Sequence, residues 1–193
     1  MKKIVLASAS PRRRELIEKY NLKIEIVKST IEEKIAQGEL PEQVAMSLAY
    51  EKAYDVSKAF HDEEIIIGAD TIVVFQNEIL GKPKDYEEAF NMLKILSGRA
   101  HCVITGIAIV KANTNVKVVD YEKTSVVFKS LTDEKIQRYL NTGEYKDKAG
   151  AYGIQGYGEI LVEKIEGCYS NVVGLPMPKL EMLLEKYFGI SLL

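Results

Sequence analysis

The spacing of apolar and polar positions predicts several β-strands. Short apolar runs at Lys3–Ala7, Leu22–Val27 and Ile160–Ile165 have the length and residue types of strands. Two longer runs, His101–Lys111 and Val116–Lys129, are separated by a short polar turn. This arrangement predicts a long antiparallel hairpin.

The middle of the chain carries a second β-rich region. Ile65–Ala69 and Ile72–Phe75 are apolar and rich in β-branched residues, and Glu78–Leu80 follows after a plausible turn at Gln76. Asp70 interrupts the two apolar runs. We therefore expect either a polar group facing a site or a turn between two strands.

Helical periodicity and helix-boundary residues predict five helices. Their ranges are Arg12–Tyr20, Pro41–Phe60, Tyr86–Leu96, Thr132–Asn141 and Met177–Phe188. The interleaving of helices and strands predicts an α/β fold with a mixed sheet. Residues 1–193 are expected to form one domain, and an arrangement of two lobes around a cleft is left open.

Composition and charge narrow the class of protein. A chain of 193 residues can build one sizeable core. The net charge of −2 does not favour nucleic acid or an anionic membrane as a partner. The apolar start is too short for a signal peptide, and no later run is long enough to span a membrane. Cys102 and Cys168 lack metal-type spacing, which indicates a reducing cytoplasm.

The segment Ser8–Arg14 is the strongest local signal for ligand binding. Ser10 suits a helix N-cap, and Pro11 suits the first helical position. The first turn then carries three arginines, whose charge opposes the helix macrodipole. An anion held by serine hydroxyls and guanidinium groups would explain this arrangement, and so would a solvated basic turn.

Asp70 is the second signal, because a buried carboxylate needs a cation, a metal or a cleft. At such a position it could act as a general base or a metal ligand. Glu32-Glu33 could add a carboxylate that suits Mg²⁺. Lys52 and Lys82 could neutralise phosphate charge, and the amide of Gln155 could recognise a nucleobase edge. Taken singly, each of these is also typical of a solvated surface. Neither a P-loop nor a Rossmann fingerprint is present.

Taken together and in order, these segments resemble the Maf family of nucleoside triphosphate pyrophosphatases. The matching segments are Ser8–Arg13, Glu32-Glu33, Lys52-Ala53, Gly68–Thr71, Gly81–Pro83, Leu96–Gly98, Asp147–Gly156 and Asn171–Pro176. They run from residue 4 to about residue 184, so the resemblance covers nearly the whole chain.

The resemblance implies an inosine-triphosphatase-like fold, in which helices flank an elongated mixed sheet with a central cleft. It implies hydrolysis between the α- and β-phosphates with a divalent metal, Mg²⁺ or Mn²⁺. It also implies a homodimer, whereas the cysteines and the net charge predict a cytoplasmic protein without nucleic-acid or membrane partners. The family was first linked to septum formation, so a role in cell division is open.

The resemblance assigns roles to individual residues. Asp70 would be the proton acceptor, and Glu33 and Asp70 would hold the metal. The expected substrate-binding residues are Ser8, Ser10, Arg12, Arg13, Lys52, Thr71, Lys82 and Gln155.

The combination of Arg12, Thr71 and Gln155 resembles the subgroup that acts on dTTP and UTP, with CTP and modified pyrimidine nucleotides as further candidates. One alternative is a pyrophosphatase for modified purine triphosphates such as 7-methyl-GTP. Another is a non-catalytic, nucleotide-binding regulator of division.

Overall fold

One mixed sheet organises the part of the chain that the computed structural model describes, residues 3–20, 22–35 and 38–193. Its strands are β1 (Ile4–Ala7), β2 (Ile24–Ile26), β3 (Ile65–Phe75), β4 (Glu78–Leu80), β5 (Ala100–Lys111), β6 (Lys117–Phe128) and β7 (Val162–Glu166). The strand order is β2-β1-β3-β5-β6-β7, with β4 paired to β3. β1 is parallel to β2 and β3, and the remaining pairs are antiparallel.

Helices lie on both sides of the sheet. They are α1 (Pro11–Ile17), α2 (Pro41–Ser57), α3 (Tyr86–Leu96), α4 (Asp133–Leu140), α5 (Tyr169–Val173) and α6 (Met177–Phe188). In the described residues no helix is both long enough and apolar enough to cross a membrane. The mixed sheet with helices on both sides confirms the predicted α/β class.

Several boundaries differ from the predicted ones. α1 begins at Pro11 and ends at Ile17, whereas the prediction was Arg12–Tyr20. After Ile17 the backbone N–H of Tyr20 bonds to the Ile17 carbonyl in a turn. α5 was not predicted, since five residues are too few to display helical periodicity. Short 3₁₀ turns at Ala149–Ala151 and Tyr157–Leu161 lie between α4 and β7.

β3 is one continuous strand, so the alternative of two strands with Asp70 in a turn between them is wrong. Ladder pairing with β5 runs unbroken from Ile65 to Val74, and Asp70 lies opposite Gly106. The long hairpin of β5 and β6 is present as predicted. Asp70 therefore projects from the middle of a strand in the sheet.

Helix α2 covers the face that carries the even-numbered residues of β3, here called the α2 face. Two glycines on this face, Gly68 and Gly106, let the helix backbone approach the strands closely. A Cβ atom at Gly106 would collide with the carbonyl of Ala45, and one at Gly68 would collide with that of Ala49. The close contact places α2 directly over Asp70.

The odd-numbered residues of β3 form the α5 face, which carries two separate apolar clusters. Ile67 packs in a cluster with α1 and α6, whereas Val73 packs in a cluster with α3 and α4. Thr71 of β3 and Thr105 of β5 lie between these clusters and opposite each other in the ladder. They place two hydroxyls in the middle of an otherwise apolar face.

The edge of β3 opposite β5 is only partly paired. β1 pairs with Ile65–Gly68, and β4 pairs with Val73–Phe75. Within the described strands, Ala69–Ile72 therefore pair with β5 alone. Asp70 and Thr71 lie in this gap, next to the carboxyl end of β1, where ligands commonly bind in α/β sheets.

Candidate active site

Lys52 joins two carboxylates at the centre of the α2 face. Its Nζ lies 2.5 Å from Asp70 Oδ1 and 2.7 Å from Glu33 Oε1. The side chains of Lys52 and Asp70 are only 12% and 10% exposed, whereas Glu33 is half exposed. The structure thus brings together three of the predicted site residues around one buried ammonium group.

The position of Lys52 follows from the packing of α2. Helical side chains lean toward the N-terminus of their helix, so Lys52 extends back over the strand toward Asp70. The segment before Glu33 is fastened to the same helix by Asp55. Asp55 Oδ2 accepts hydrogen bonds from Ser29 Oγ at 3.0 Å and from the backbone N–H of Thr30 at 2.9 Å. The Thr30 N–H holds the pKa of Asp55 below its usual value.

The charges around Glu33 favour its ionised form. Burial acts to raise the pKa of this carboxyl, but the hydrogen bond and charge of Lys52 oppose burial. The charges of Lys82 and Arg13 act in the same direction, and together they leave the pKa below its ordinary value. Glu33 therefore lies within the electrostatic reach of three cationic side chains.

Arg13 approaches the same strand from the α5 face. Its Nε donates to the carbonyl of Gly174 at 2.7 Å, and its Nη2 donates to Thr71 Oγ1 at 3.0 Å. Its Nη1 lies 3.4 Å from Ser8 Oγ. Burial lowers the pKa of Arg13, while the charge of Asp70 acts to raise it. Arg13 is thereby oriented by fixed acceptors beside the Asp70 carboxylate.

The loop after β1 contributes two serines to the site. Ser8 is buried, and its Oγ accepts a hydrogen bond from the backbone N–H of Ser10 at 3.1 Å. Ser10 occupies the N-cap position of α1, but its hydroxyl makes no capping hydrogen bond. The Ser10 hydroxyl therefore remains available to a ligand.

The remaining predicted residues lie farther out. Lys82 is exposed and close enough to Glu33 to influence its pKa. Arg12 is half-buried, and its charge lowers the pKa values of Arg13 and Lys148 after the larger effect of burial on each. Gln155 is exposed, and no hydrogen bond or ion pair ties it to the cluster within the described residues.

A divalent metal has two carboxylate ligands available here. Within residues 3–20, 22–35 and 38–193 no group of three or more His, Cys, Asp and Glu side chains could hold a metal ion. Glu33 and Asp70, however, already share one cation, the ammonium of Lys52. Mg²⁺ is commonly held by one or two carboxylates together with phosphate oxygens. The pair therefore fits a metal that is completed by substrate and water.

Two surface cavities lie away from these residues. One of about 500 Å³ lies along α3, and one of about 630 Å³ lies between α4 and the 3₁₀ turn at Tyr157–Leu161. None of the residues lining them is a predicted site residue. The candidate site is thus identified by its charges and hydrogen bonds and not by the size of a cavity.

Sequence reasoning missed several groups that support the site. They are Asp55, Thr105, Asn171 and the carbonyl of Gly174. Asn171 and Gly174 lie in a segment that carried the family resemblance, which was the only sequence signal for them. The roles of Asp55 and Thr105 depend on which strands and helices meet, so no local pattern could indicate them.

The fold resembles that of a protein of known structure. The structure of the Staphylococcus aureus Ham1 protein superimposes with a TM-score of 0.50, covering 83% of this chain and 80% of that chain. The two sequences are 15% identical, so the likeness concerns the fold alone. The predicted inosine-triphosphatase-like architecture is confirmed.

Sequence comparison identifies the family more narrowly. The profile described as Maf-like protein matches residues 3–187, and the chain belongs to this family. The dTTP/UTP pyrophosphatase of Clostridioides difficile (strain 630) is 53% identical over 189 residues, which are 98% of this chain and 97% of that protein. The protein of the same name from Alkaliphilus oremlandii (strain OhILAs) is 53% identical over the full length of both chains. The family resemblance in the sequence is thus confirmed.

Proposed function

We propose that this protein hydrolyses dTTP and UTP to the nucleoside monophosphate and pyrophosphate. The names of relatives that are 53% identical over almost the whole chain support the reaction and the substrates. The observation that carries the proposal is a buried carboxylate, Asp70, which lies at the partly paired edge of β3, contacts Lys52 and is close enough to Arg13 to influence its pKa. Such a site can activate water beside a bound polyanion.

In this proposal Asp70 is the general base. It accepts a proton from the water that attacks the α-phosphorus, and pyrophosphate leaves with the electrons of the broken bond. The ion pair of Lys52 with Asp70 Oδ1 orients this carboxylate in the ligand-free protein. General-base catalysis typically contributes about 10²- to 10⁴-fold to the rate.

Glu33 and Asp70 would hold the divalent metal, Mg²⁺ or Mn²⁺. When bound, the metal neutralises phosphate charge and polarises phosphoryl oxygens. Lys52 would then transfer part of its charge interaction from the carboxylates to the triphosphate. Its flexible stem allows this movement, because a lysine ammonium acts as a point charge without fixed geometry.

The triphosphate would lie across the edge of β3 and contact both faces. Arg13 offers a planar guanidinium that suits phosphate oxygens, and Lys82 adds an exposed positive charge. Ser8 and Ser10 offer hydroxyls from the loop after β1. These groups would stabilise the charge that develops on the leaving pyrophosphate.

Arg12, Thr71 and Gln155 would select the base and sugar. An exposed Gln155 side chain can hydrogen-bond a pyrimidine edge, and its amide matches the donor and acceptor pattern of thymine and uracil. Cytoplasmic location and assembly as a homodimer belong to the same proposal. A modified purine triphosphate is the second candidate substrate, and a regulator that binds nucleotide without cleaving it is the third candidate function.

The test is pyrophosphate release from a panel of nucleoside triphosphates with Mg²⁺, comparing wild type with Asp70→Asn. We expect turnover of dTTP and UTP, with a loss of at least about 100-fold in the variant. Preference for a purine triphosphate would contradict the proposed substrates, dTTP and UTP, but would agree with the proposed release of pyrophosphate. No turnover by folded wild-type protein with any triphosphate would favour the regulator. Wild-type rates in Asp70→Asn would exclude Asp70 as the base.

A further inference from the structure

We propose that Thr105 is a positioning residue that sets the orientation of Arg13 through the hydroxyl of Thr71. Thr105 is completely buried on the α5 face, so it cannot touch a substrate itself. The inference rests on the proposed function for one point only, that Arg13 binds phosphate. The orientation of Arg13 can be measured without that assumption.

The shorter of the hydrogen bonds available to these residues share one direction. Thr105 Oγ1 donates its only proton to the backbone carbonyl of Asn171 at 3.0 Å. With that proton used, Thr71 is the donor in the 2.9 Å contact between the two hydroxyls, which is shorter than its 3.4 Å contact with the Gly174 carbonyl. Thr71 then presents only lone pairs to Arg13, whose Nη2 donates to it at 3.0 Å. This series of hydrogen bonds runs from Arg13 through both threonines to the carbonyl of Asn171.

Asn171, whose carbonyl accepts the last of these hydrogen bonds, is itself held by two strands. The buried side chain of Asn171 donates to the carbonyl of Val103 at 3.0 Å and to Thr124 Oγ1 at 2.9 Å. Thr124 in turn accepts from the backbone N–H of Cys168, directly before α5, at 3.1 Å. These contacts bind α5 to both β5 and β6. The same short helix ends at Gly174, whose carbonyl accepts from Arg13 Nε.

Removing the Thr105 hydroxyl has a specific consequence at Arg13. The proton of Thr71 loses its acceptor and can turn only toward the Gly174 carbonyl, which lies 3.4 Å away. That carbonyl is already the acceptor for Arg13 Nε at 2.7 Å. Thr71 would then share this oxygen with Arg13 Nε, and its lone pairs would no longer be held toward Arg13 Nη2 by the bond to Thr105.

Two substitutions separate this role from simple packing. Thr105→Val keeps the shape of the side chain and removes the hydroxyl, whereas Thr105→Ser keeps the hydroxyl and leaves a small void. If Thr105 only filled space, valine would be the better replacement. If it orients Arg13, serine would be the better replacement. The two explanations therefore predict opposite rankings.

The first measurement is hydrogen exchange of the Arg13 Nε–H by NMR on the ligand-free protein, with the signal assigned by its loss in Arg13→Lys. We expect slow exchange in wild type and in Thr105→Ser, and exchange at least about tenfold faster in Thr105→Val. Thr105→Ala serves as a second variant without the hydroxyl should the valine protein not fold. Equal exchange in every folded variant would overturn the proposal.

The second measurement is the specificity constant kcat/KM for dTTP in a double-mutant cycle. We expect Thr105→Val to lower kcat/KM by about tenfold in the wild-type background and by less than twofold in the Arg13→Lys background. An equal loss in both backgrounds would mean that Thr105 does not act through Arg13. Absence of turnover by wild type would refute the proposed function, while the exchange measurement would still decide the role of Thr105.

Discussion

The two faces of β3 meet at the candidate site with different physical chemistry. On the α2 face, Lys52 sits between two carboxylates and is held by charge. On the α5 face, Arg13 is held by neutral acceptors, a threonine hydroxyl and a peptide carbonyl. The stretch Ala69–Ile72, which pairs with β5 alone, thus carries both arrangements, because alternate side chains of a strand point to opposite faces.

The difference concerns how each cation can respond to a ligand. A lysine between carboxylates can exchange partners with a metal or a phosphate, since charge interactions have weak directional demands. An arginine bound through Nε and Nη2 keeps its plane, because each hydrogen bond has a preferred direction. We infer that the α2 face adapts when substrate binds and that the α5 face serves as the fixed reference.

The largest expected effect comes from removing the charge on the α2 face. Lys52→Met keeps most of the unbranched side chain but leaves Asp70 and Glu33 without their shared cation. We expect kcat/KM for dTTP to fall by about 10²- to 10³-fold. The control is Lys58→Met, which removes an exposed lysine at the end of the same helix. Comparable losses in both variants would show that the α2 face has no special role.

The next effect concerns the contact that holds α2 over Asp70. Gly106→Ala places a methyl group against the backbone carbonyl of Ala45, which cannot move without the helix. We expect the free energy of unfolding to fall by about 3 kcal/mol in urea titrations. Gly81→Ala is the matched control, because a Cβ atom there meets nothing within 4 Å. A loss within about 0.5 kcal/mol at Gly106 would contradict the close packing of the helix.

The α5 face should weaken in acid because of His101. This buried histidine contacts Tyr152 Oη at 2.8 Å, and burial lowers its pKa to about 4 from a usual value of 6.5. The unfolded chain binds the proton more readily, so stability falls as the pH drops from about 6.5 to 4. We expect His101 to account for about 3 kcal/mol of this loss.

Urea unfolding at several pH values would measure the contribution of His101. In His101→Gln the slope of stability against pH between 4 and 6.5 should decrease. The same change at the exposed His61 should leave the slope as in wild type. An unchanged slope in His101→Gln would show that the histidine is not held in its neutral form.

The smallest effect is expected at the exposed end of the charged face. Glu33→Gln removes one carboxylate that is already half exposed, where solvent screens its interactions. We expect the Mg²⁺ concentration for half-maximal pyrophosphate release to rise by about tenfold. Glu32→Gln is the control, since Glu32 pairs with the exposed Lys34 and not with Lys52. A similar rise in both variants would point to a general loss of negative charge.

Much of the fold was predictable because it depends on local patterns. The hairpin of β5 and β6 and helix α6 follow from apolar periodicity over ten or more residues. Helix α5 did not, since its five residues are held mainly by contacts of Asn171 with two strands. Asp70 was recognised as unusual, but its sequence context allowed both a turn and a continuous strand.

The sequence by itself determined the α/β class, the family and the identity of the charged residues, because residue types and their order carry that information. The tertiary structure decided which of these residues meet. The pairing registers of β1, β4 and β5 with β3 left Ala69–Ile72 without a second strand. The glycines at 68 and 106 allowed α2 to bring Lys52 down to Asp70. Such contacts join residues far apart in the chain, and their distances depend on how strands and helices pack together.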